Sequence, residues 1–408
     1  MPEAVVVAAA RTPIGRAFKG SLKDVRPDDL AVTAVRAALG QLPGLDPTQI
    51  DDLHLGCAEP SGEHGANIAR RVAVQLGLDE VPGTTVNRFC SSSLQTARMA
   101  FHAVKAGEGH VFVSAGVECV SRYRHFGPTG ADADDVLNPA FDQARDRTAD
   151  DARTNGLWTD PRSDGLLPDV YIGMGQTAEN VAGLFKISRQ EQDHYALRSQ
   201  QLYAKAAESG FHAREITPVR QPDGTVIATD DSPRPGTTYE ALEGLQPAFR
   251  PGGSVTAGNS CPLNDGAAAV VIMSDVRARE LGITPLARIV ATGVSGLSPE
   301  IMGLGPVEAT RRALAHAGLS IGDIDLFEMN EAFAAAVMHF MKDLGVPHEK
   351  VNVNGGAIAL GHPLGATGAM LIGTLLDELE RRELRYGLAT LCVGGGMGVA
   401  TIIERIAA

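Results

Sequence analysis

Residues 86–94 read Val-Asn-Arg-Phe-Cys-Ser-Ser-Ser-Leu and predict a strand that turns directly into a helix. The residues before Asn87 have the composition of a strand end, and apolar residues recur at helical spacing from Leu94 to Val104. The serines supply side-chain oxygens suited to capping a helix start. We therefore expect Cys90 at a helix N-terminus, where unpaired N–H groups favour a negative charge and lower a thiol pKa. A small buried residue packed under the helix is the alternative.

The composition is that of a globular protein with two or three hydrophobic cores. The chain has 408 residues, of which 44% are hydrophobic and 21% charged. Its net charge of −13 argues against nucleic acid or an anionic membrane as the main partner. Its 5 cysteines show neither a close CxxC pair nor zinc spacing, which indicates free thiols and a cytoplasmic location. We find neither a signal-peptide pattern nor about 18 consecutive apolar residues, and expect no membrane span.

The sequence contains an internal repeat, whose two copies are about 270 residues apart. A helix, Gly-Leu, Ile-Asp and an apolar strand follow in that order at 30–57 and again at 307–329. Val-Asn then precedes Cys90 in one copy and His362 in the other, and a helix and a strand follow each. This pattern predicts a duplicated α/β domain with a mostly parallel sheet covered on both faces. Cys90 and His362 are expected at equivalent places in the two copies.

The predicted N-terminal domain spans 1–275, with an inserted region at about 120–250, and the C-terminal domain spans 276–408. Residues 122–171 lack a sustained period and predict surface loops. A helix is expected from Met174, and a second begins at the capping pair Ser188 and Glu191 and runs to about Ala207. Residues 267–273 predict a strand that completes the first copy.

Three further stretches point to chemistry. Asn330 in Met329–Ala334 follows a predicted strand, where ligands often meet α/β sheets, although a helix N-cap is the simpler interpretation. His362 lies among the glycines of 355–365, which indicates backbone that approaches a ligand closely, or plain turns around a structural histidine. Cys392 begins a Gly-rich turn that fails the GxGxxG pattern at Val399.

Together these stretches resemble the thiolase family, the acyl-CoA acetyltransferases. The resemblance covers nearly the whole chain and includes ARTPIG at 10–15, TAENVA at 177–182, TAGN at 256–259 and NDGAA at 264–268. It implies the five-layered αβαβα thiolase fold, with an inserted loop domain that covers CoA. It also implies a homodimer or homotetramer that uses CoA and acyl-CoA as substrates, with no tightly bound cofactor and no metal.

The resemblance assigns a role to each of five residues. Cys90 matches the cysteine that takes the acyl group, and His362 matches the base that activates it. Cys392 matches the thiol that moves the proton at the α-carbon of acetyl-CoA. Asn330 matches the residue that holds a water, which forms one oxyanion hole with His362. The backbone N–H groups of Cys90 and Gly394 match the second hole. A Claisen exchange needs such a nucleophile, acid–base pair and donor sets in any case.

Contacts to CoA are expected from Met174, Ser260, Cys261 and Phe333. The chain departs from the family pattern here, because Cys261-Pro262 replaces a usual Ser-Gly pair and Ser93 replaces a usual Gly. Gly173 stands where short-chain biosynthetic members carry His, which favours a degradative or broader-chain pocket. These departures put the fine CoA contacts in question.

The expected function is reversible condensation and thiolysis of 3-ketoacyl-CoA in fatty-acid or related degradation, with other β-oxidation enzymes as partners. A ketosynthase-like or hydroxymethylglutaryl-CoA synthase-like enzyme of the same superfamily is one alternative, which a second thiol at Cys392 disfavours. A catalytically impaired CoA- or lipid-binding protein is another, which the intact Cys90, His362 and Cys392 disfavour.

Overall fold

The computed structural model describes residues 1–123, 137–221 and 223–406. In these ranges the strands are β1 Ala4–Arg11, β2 Gly15–Arg16, β3 Asp52–Gly56, β4 Gly83–Val86, β5 Val111–Cys119, β6 Val219–Arg220, β7 Val226–Ile227, β8 Asn264–Ser274, β9 Ala287–Gly296, β10 Leu326–Met329, β11 Tyr386–Val393 and β12 Met397–Arg405. The strands predicted at 5–9, 111–116, 267–273 and 389–394 are confirmed to within a few residues.

The helices are α1 Pro27–Gly40, α2 Ile68–Gln75, α3 Ser92–Ala106, α4 Asp142–Thr154, α5 Met174–Phe185, α6 Arg189–Glu208, α7 Phe211–Glu215, α8 Tyr239–Glu243, α9 Asp275–Glu280, α10 Gly305–Ala317, α11 Ala334–Leu344, α12 Ala357–Leu360 and α13 Thr367–Arg381. Ser188 and Glu191 form the predicted capping box at the start of α6. Short 3-10 turns at Phe89–Ser91 and Leu364–Ala366 precede α3 and α13.

The two halves of the chain share one connectivity. Their strands form a sheet in the order β10-β11-β12-β9-β1-β8-β5-β3-β4, with β2 paired to β8. In this order β1, β8, β5 and β3 occupy the same places as β9, β12, β11 and β10. The halves meet where β1 pairs with β9 at Val5–Arg288 and Val6–Ala287. The predicted duplication is confirmed, and Cys90 and His362 stand just before the equivalent helices α3 and α13.

The prediction of a mostly parallel sheet is wrong. Only the pairs β3–β4, β3–β5 and β10–β11 are parallel among the described strands, and their connections include helices, as parallel crossovers require. The other pairs are antiparallel. A tight turn at Gly394–Gly396 joins β11 to β12, and such a turn connects only antiparallel neighbours.

Buried side chains arrange these elements in five layers. One cluster packs α1 and α2 against the N-terminal strands, and another packs α10 and α11 against the C-terminal strands. A central cluster contains side chains of α3 and α13 and of strands from both halves. The central helices therefore lie between the two halves of the sheet, in the αβαβα order that the resemblance implies.

The two central helices approach closely because small residues face each other. A Cβ on Gly368 of α13 would lie 2.2 Å from the backbone nitrogen of Leu94 on α3. Ser93, which the resemblance marks as a departure, is buried there, and its Oγ accepts a hydrogen bond of 3.0 Å from the backbone N–H of Ala369. This contact fixes the starts of α3 and α13 relative to each other.

The inserted region contains α4, where residues 122–171 had predicted loops. Part of that prediction, at 124–136, lies outside the described residues. Helix α4 buries only Ala144, so its sequence lacks the apolar stripe by which helices are recognised. The carboxylate of Glu300 accepts hydrogen bonds from Arg147 at 2.7 Å, Trp158 Nε1 at 2.6 Å and the Asp169 N–H at 2.8 Å. These bonds attach the insertion to the C-terminal half.

Replacing Gly368 with alanine is expected to lower the free energy of unfolding by about 2–3 kcal/mol, because the added methyl group meets backbone that cannot rotate away. Gly40→Ala is the matched control, since a Cβ there meets nothing within 4 Å. The control is expected to change stability by about 0.5 kcal/mol or less, or to raise it slightly. Urea denaturation measures both; equal stability of the two variants would contradict the tight central contact.

Candidate active site

Cys90 lies in the 3-10 turn between β4 and α3, immediately before the first turn of the helix, as predicted. The preceding residue, Phe89, has a φ of 43°, a left-handed conformation that is strained for a bulky side chain. The side chain of Asn87 accepts a hydrogen bond of 2.8 Å from the Phe89 N–H and supports this conformation. The turn orients the nucleophile candidate, which is half-buried.

The serines after Cys90 do not cap α3 in the way predicted. Ser91 is the N-cap residue, but its side chain makes no capping bond. Ser92 Oγ instead donates to the Phe89 carbonyl at 2.6 Å and accepts from the Arg88 N–H at 2.9 Å. The serines thus close the turn around Cys90 and, through Ser93, join α13.

The Cys90 thiol is neutral at rest, contrary to the expected low pKa. Burial raises the pKa of Cys90 to about 11, although hydrogen bonds from the backbone N–H groups of Gly394 and Cys90 lower it, and the charge of Glu118 raises it further. Desolvation therefore outweighs the helix N-terminus. The two N–H groups expected to form one oxyanion hole do converge on the Cys90 sulfur.

His362 is completely buried before α13, and burial lowers its pKa to about 3. Its backbone N–H donates to Asn264 Oδ1 at 2.9 Å. Thr367 Oγ donates to the Pro363 carbonyl at 3.0 Å and lies 2.6 Å from His362 Nδ1. Since the hydroxyl proton is used, we assign the ring proton to Nδ1, which donates to Thr367. Nε2 then carries a lone pair and acts as a hydrogen-bond acceptor.

Asn330 Nδ2 lies 3.2 Å from His362 Nε2 and donates to it in this tautomer. Asn330 is not a helix N-cap, because α11 begins at Ala334 with Phe333 as its cap residue. Its Oδ1 is buried and has no hydrogen-bond partner in the described ranges. The amide therefore keeps one acceptor for a further group beside the imidazole.

Glu331 is a residue that the sequence interpretation missed. Its carboxylate accepts hydrogen bonds from Tyr195 at 2.8 Å, Ser199 at 2.6 Å, Asn352 at 2.9 Å and the Ile358 N–H at 3.1 Å. It thus joins the Asn330 segment to α6 of the insertion and to the segment before His362. No local pattern marks this role, because every partner is at least about 20 residues away.

The glycines around His362 approach protein atoms. A Cβ on Gly356 would lie 2.3 Å from the Glu331 carboxylate, and a Cβ on Gly361, whose φ is 112°, would lie 2.7 Å from the Asn264 side chain. These glycines therefore let the His362 segment pack against its neighbours, which explains their number without a ligand.

Cys392 lies in a small apolar cluster with Phe333, and the partly buried Met174 and Cys261 pack against it. Burial raises the pKa of Cys392, and the neighbouring Cys90 raises it further. Burial also raises the pKa of Cys261, and the neighbouring Cys90 and Cys392 raise it further. The three thiols therefore lie close together. Met174 additionally flanks Gly394, since a Cβ there would lie 3.5 Å from its sulfur.

The segment that carries Cys261 is held by backbone contacts. The Cys261 N–H donates to the Ala332 carbonyl at 3.1 Å, and Ser260 and Leu263 form single bridges with Phe333 and His362. Of the expected CoA contacts, Met174, Cys261 and Phe333 are therefore brought together. The Ser260 hydroxyl donates to the Thr256 carbonyl at 2.7 Å.

A second missed feature is a cleft lined by Arg16, Arg234, Ser260 and Pro262. Neither guanidinium forms an ion pair within residues 1–123, 137–221 and 223–406. Arg16 and Pro262 also border a neighbouring groove of about 300 Å³ with Phe18. Such unpaired arginines beside an apolar groove suit a ligand with an anionic end and an uncharged arm.

The described ranges hold no cluster of three or more His, Cys, Asp or Glu arranged to bind a metal ion. None of their helices is both long and apolar enough to cross a membrane.

Comparison with known proteins identifies the family. The model of the thiolase N-terminal domain matches residues 4–276, and that of the thiolase C-terminal domain matches residues 283–405. The chain belongs to the thiolase family. It is an acyl-CoA acyltransferase, as the resemblance of its motifs implies.

Relatives and a solved structure match the thiolase chain along its full length. It is 47% identical to the 3-oxoadipyl-CoA/3-oxo-5,6-dehydrosuberyl-CoA thiolase of Escherichia coli (strain K12), with 100% of both chains covered. It is 42% identical to the 3-ketoacyl-CoA thiolase of Bacillus subtilis (strain 168), covering 99% of this chain and 100% of the relative. The crystal structure of the Bacillus anthracis acetyl-CoA acetyltransferase is 42% identical, with a TM-score of 0.85 and coverage of 100% and 99%.

The raised pKa of Cys90 predicts slow alkylation at neutral pH. A thiol with a pKa of about 11 is almost fully protonated at pH 7, so its reaction with iodoacetamide is expected to rise about tenfold per pH unit from pH 7 to 10. His362, with a pKa of about 3, stays neutral throughout this range and adds no step. Mass spectrometry of the Cys90 peptide measures the rate, with a short cysteine peptide as reference. A plateau below pH 8 would instead show a resting thiolate–imidazolium pair.

Proposed function

We propose that this thiolase catalyses reversible thiolysis of 3-ketoacyl-CoA, and the reverse Claisen condensation, through an acyl-enzyme on Cys90. One observation carries the proposal: the thiols of Cys90 and Cys392 lie at the start of α3 beside two N–H groups, and the neutral imidazole of His362, paired with the Asn330 amide, lies before α13, the helix that packs on α3. Thiolysis requires a nucleophile, a base and donors for two oxyanions. Each requirement has one candidate side chain or N–H pair here.

In the first step Cys90 attacks the keto carbonyl of the substrate. His362 takes the thiol proton at Nε2, where this proton replaces the hydrogen bond from Asn330, since Thr367 holds the other proton on Nδ1. The N–H groups of Cys90 and Gly394 then stabilise the oxyanion that develops beside the sulfur; one such donor is typically worth about 10²–10³ in rate. The bond between the keto carbon and the α-carbon breaks, and the acyl group stays on Cys90.

In the second step the acetyl-CoA enolate that leaves is protonated at its α-carbon. We assign this proton to Cys392, and the enolate oxygen to His362 and to a water held by Asn330. The thiol of CoA then gives its proton to the Cys392 thiolate and attacks the acyl carbonyl, and Cys90 leaves as a thiolate that takes its proton back from His362. The raised pKa of Cys392 suits this role, because a neutral thiol can donate a proton to an enolate.

The cleft with Arg16 and Arg234 supports CoA as the thiol substrate. The uncharged arm of CoA would run along the groove at Phe18 and Pro262, and the phosphates of CoA would contact the two guanidinium groups. Cys261, Met174 and Phe333 would then surround the reactive end. CoA is used as a substrate, and we assign no tightly bound cofactor.

Arg234→Met is expected to raise the KM for CoA about tenfold or more, since a hydrogen bond between charged groups contributes about 1.5–3 kcal/mol. The ratio of KM for CoA to KM for N-acetylcysteamine, a thiol without phosphates, is the measured quantity. Arg311→Met is the control, because Arg311 pairs with Asp343 away from the cleft. An unchanged ratio would remove Arg234 from the phosphate site.

The names of the relatives bear on which acyl group the substrate carries. The relatives' names include 3-oxoadipyl-CoA and 3-ketoacyl-CoA, and we propose 3-ketoacyl-CoA degradation with 3-oxoadipyl-CoA as a leading candidate. Thiolysis of acetoacetyl-, 3-oxohexanoyl- and 3-oxoadipyl-CoA, followed by loss of ketoacyl absorbance, ranks these substrates. The pair of six-carbon substrates isolates the effect of a terminal carboxylate.

We also propose a homodimer or homotetramer in the cytoplasm, working beside other β-oxidation enzymes. Arg98 of α3 is half-buried, and its Nε has no hydrogen-bond partner in the described ranges. A second copy could supply that partner. Five free cysteines support a reducing compartment. The domain division at 275 and 276 remains a proposal.

The proposed roles of the two thiols predict that replacing each with alanine has a different effect on acylation and on α-hydrogen exchange. Cys392→Ala is expected to form the acyl-enzyme from acetyl-CoA but to lose thiolysis and the exchange of α-hydrogens with deuterated water. Cys90→Ala is expected to lose the acyl-enzyme, yet it keeps the N–H of position 90 and the groups that bind the enolate. Mass spectrometry of the Cys90 peptide and proton NMR of acetyl-CoA provide the two readouts. Equal loss of acylation in both variants would contradict separate roles.

A further inference from the structure

Glu118 is a fully buried carboxylate that the mechanism above does not use. It lies on β5, and its Oε2 accepts hydrogen bonds from the Ala58 N–H at 2.7 Å and the Gly365 N–H at 2.8 Å. Its Oε1 accepts from the Glu59 N–H at 3.3 Å and from the Cys57 thiol at 3.4 Å. One side chain therefore holds two loops that are otherwise far apart in sequence.

The position of these loops is what makes Glu118 relevant to the site. Gly365 is in the 3-10 turn that follows His362 and Pro363 and precedes α13. A Cβ on Gly365 would lie 2.8 Å from the Gly56 carbonyl oxygen and from Cys57 Cα, so this turn is packed directly on the end of β3. The bond to Glu118 fixes the turn in that contact, and with it the backbone that carries His362.

The charge of Glu118 also raises the pKa of Cys90, after the larger effect of burial. Three of its partners are backbone N–H groups, which can only donate and therefore favour the ionised carboxylate, although burial raises its pKa. The other titratable groups here are Cys57 and Tyr123 at the carboxylate, and Cys261 and Cys392 at Cys90.

We propose that Glu118 is a positioning residue for the proposed thiolase reaction. Its carboxylate fixes the turn after His362 against the end of β3, and it thereby holds the imidazole in place beside Asn330. The effect on turnover rests on the proposed function, whereas the effect on the turn can be measured without any substrate.

Two variants test this. Glu118→Gln replaces one acceptor oxygen with an NH₂ group, and Glu118→Asp shortens the reach to Gly365, so each weakens the hold on the turn. In each variant kcat for thiolysis is expected to fall tenfold or more, with less than a threefold change in the KM for CoA. Amide hydrogen exchange of the peptide that contains residues 362–366, measured by mass spectrometry, is expected to become about tenfold faster in both.

Glu378→Gln is the matched control, since Glu378 is equally buried but pairs with Arg381 and Arg382 at the far end of α13. It is expected to leave kcat and the hydrogen exchange of that peptide unchanged. Circular dichroism confirms that each variant is folded. Unchanged exchange of the 362–366 peptide in both Glu118 variants, or an unchanged kcat beside faster exchange, would overturn the proposal. Absence of thiolysis in the unmodified protein would contradict the proposed function but not the effect on hydrogen exchange.

Discussion

The contact between α3 and α13 is the constraint on which the active site depends. Gly368 allows backbone of one helix to meet backbone of the other, and the hydrogen bond from Ala369 to Ser93 sets their register. One helix belongs to each half of the duplicated fold. Cys90 and His362 precede these helices, so their separation is fixed by the packing of the core and not by the loops that carry them.

Burial then decides the electrostatic state of the site. It raises the pKa of Cys90 and lowers that of His362, which leaves both groups uncharged near neutral pH. A charged pair in this environment would require hydrogen bonds to compensate for lost hydration. In the proposed mechanism, the N–H groups at Cys90 and the acceptor Nε2 would act on charge that develops only during reaction, which is the condition for lowering a barrier.

Much of this arrangement could be predicted from the sequence. The echo between the copies predicted the duplication and the equivalent positions of Cys90 and His362, because both depend on local order along the chain. The strand directions, Thr367 as partner of His362, and the Glu118 and Glu331 networks were not predicted. Gly365 and Glu118 are 247 residues apart, and no local pattern connects them. The sign of the Cys90 pKa shift was wrong because a sequence shows a helix start but not the depth at which it is buried.

The place of β12 in the sheet has a consequence for biosynthesis. This strand, Met397–Arg405, lies between β11 and β9, in the interior of the sheet order, although it follows almost all of the chain. Its residues also contribute to the central core. During translation, β9 and β11 therefore lack the strand between them until these residues leave the ribosome. Until then the N-terminal half has an uncovered apolar face. A chaperone that shields apolar surface during translation would act on that intermediate.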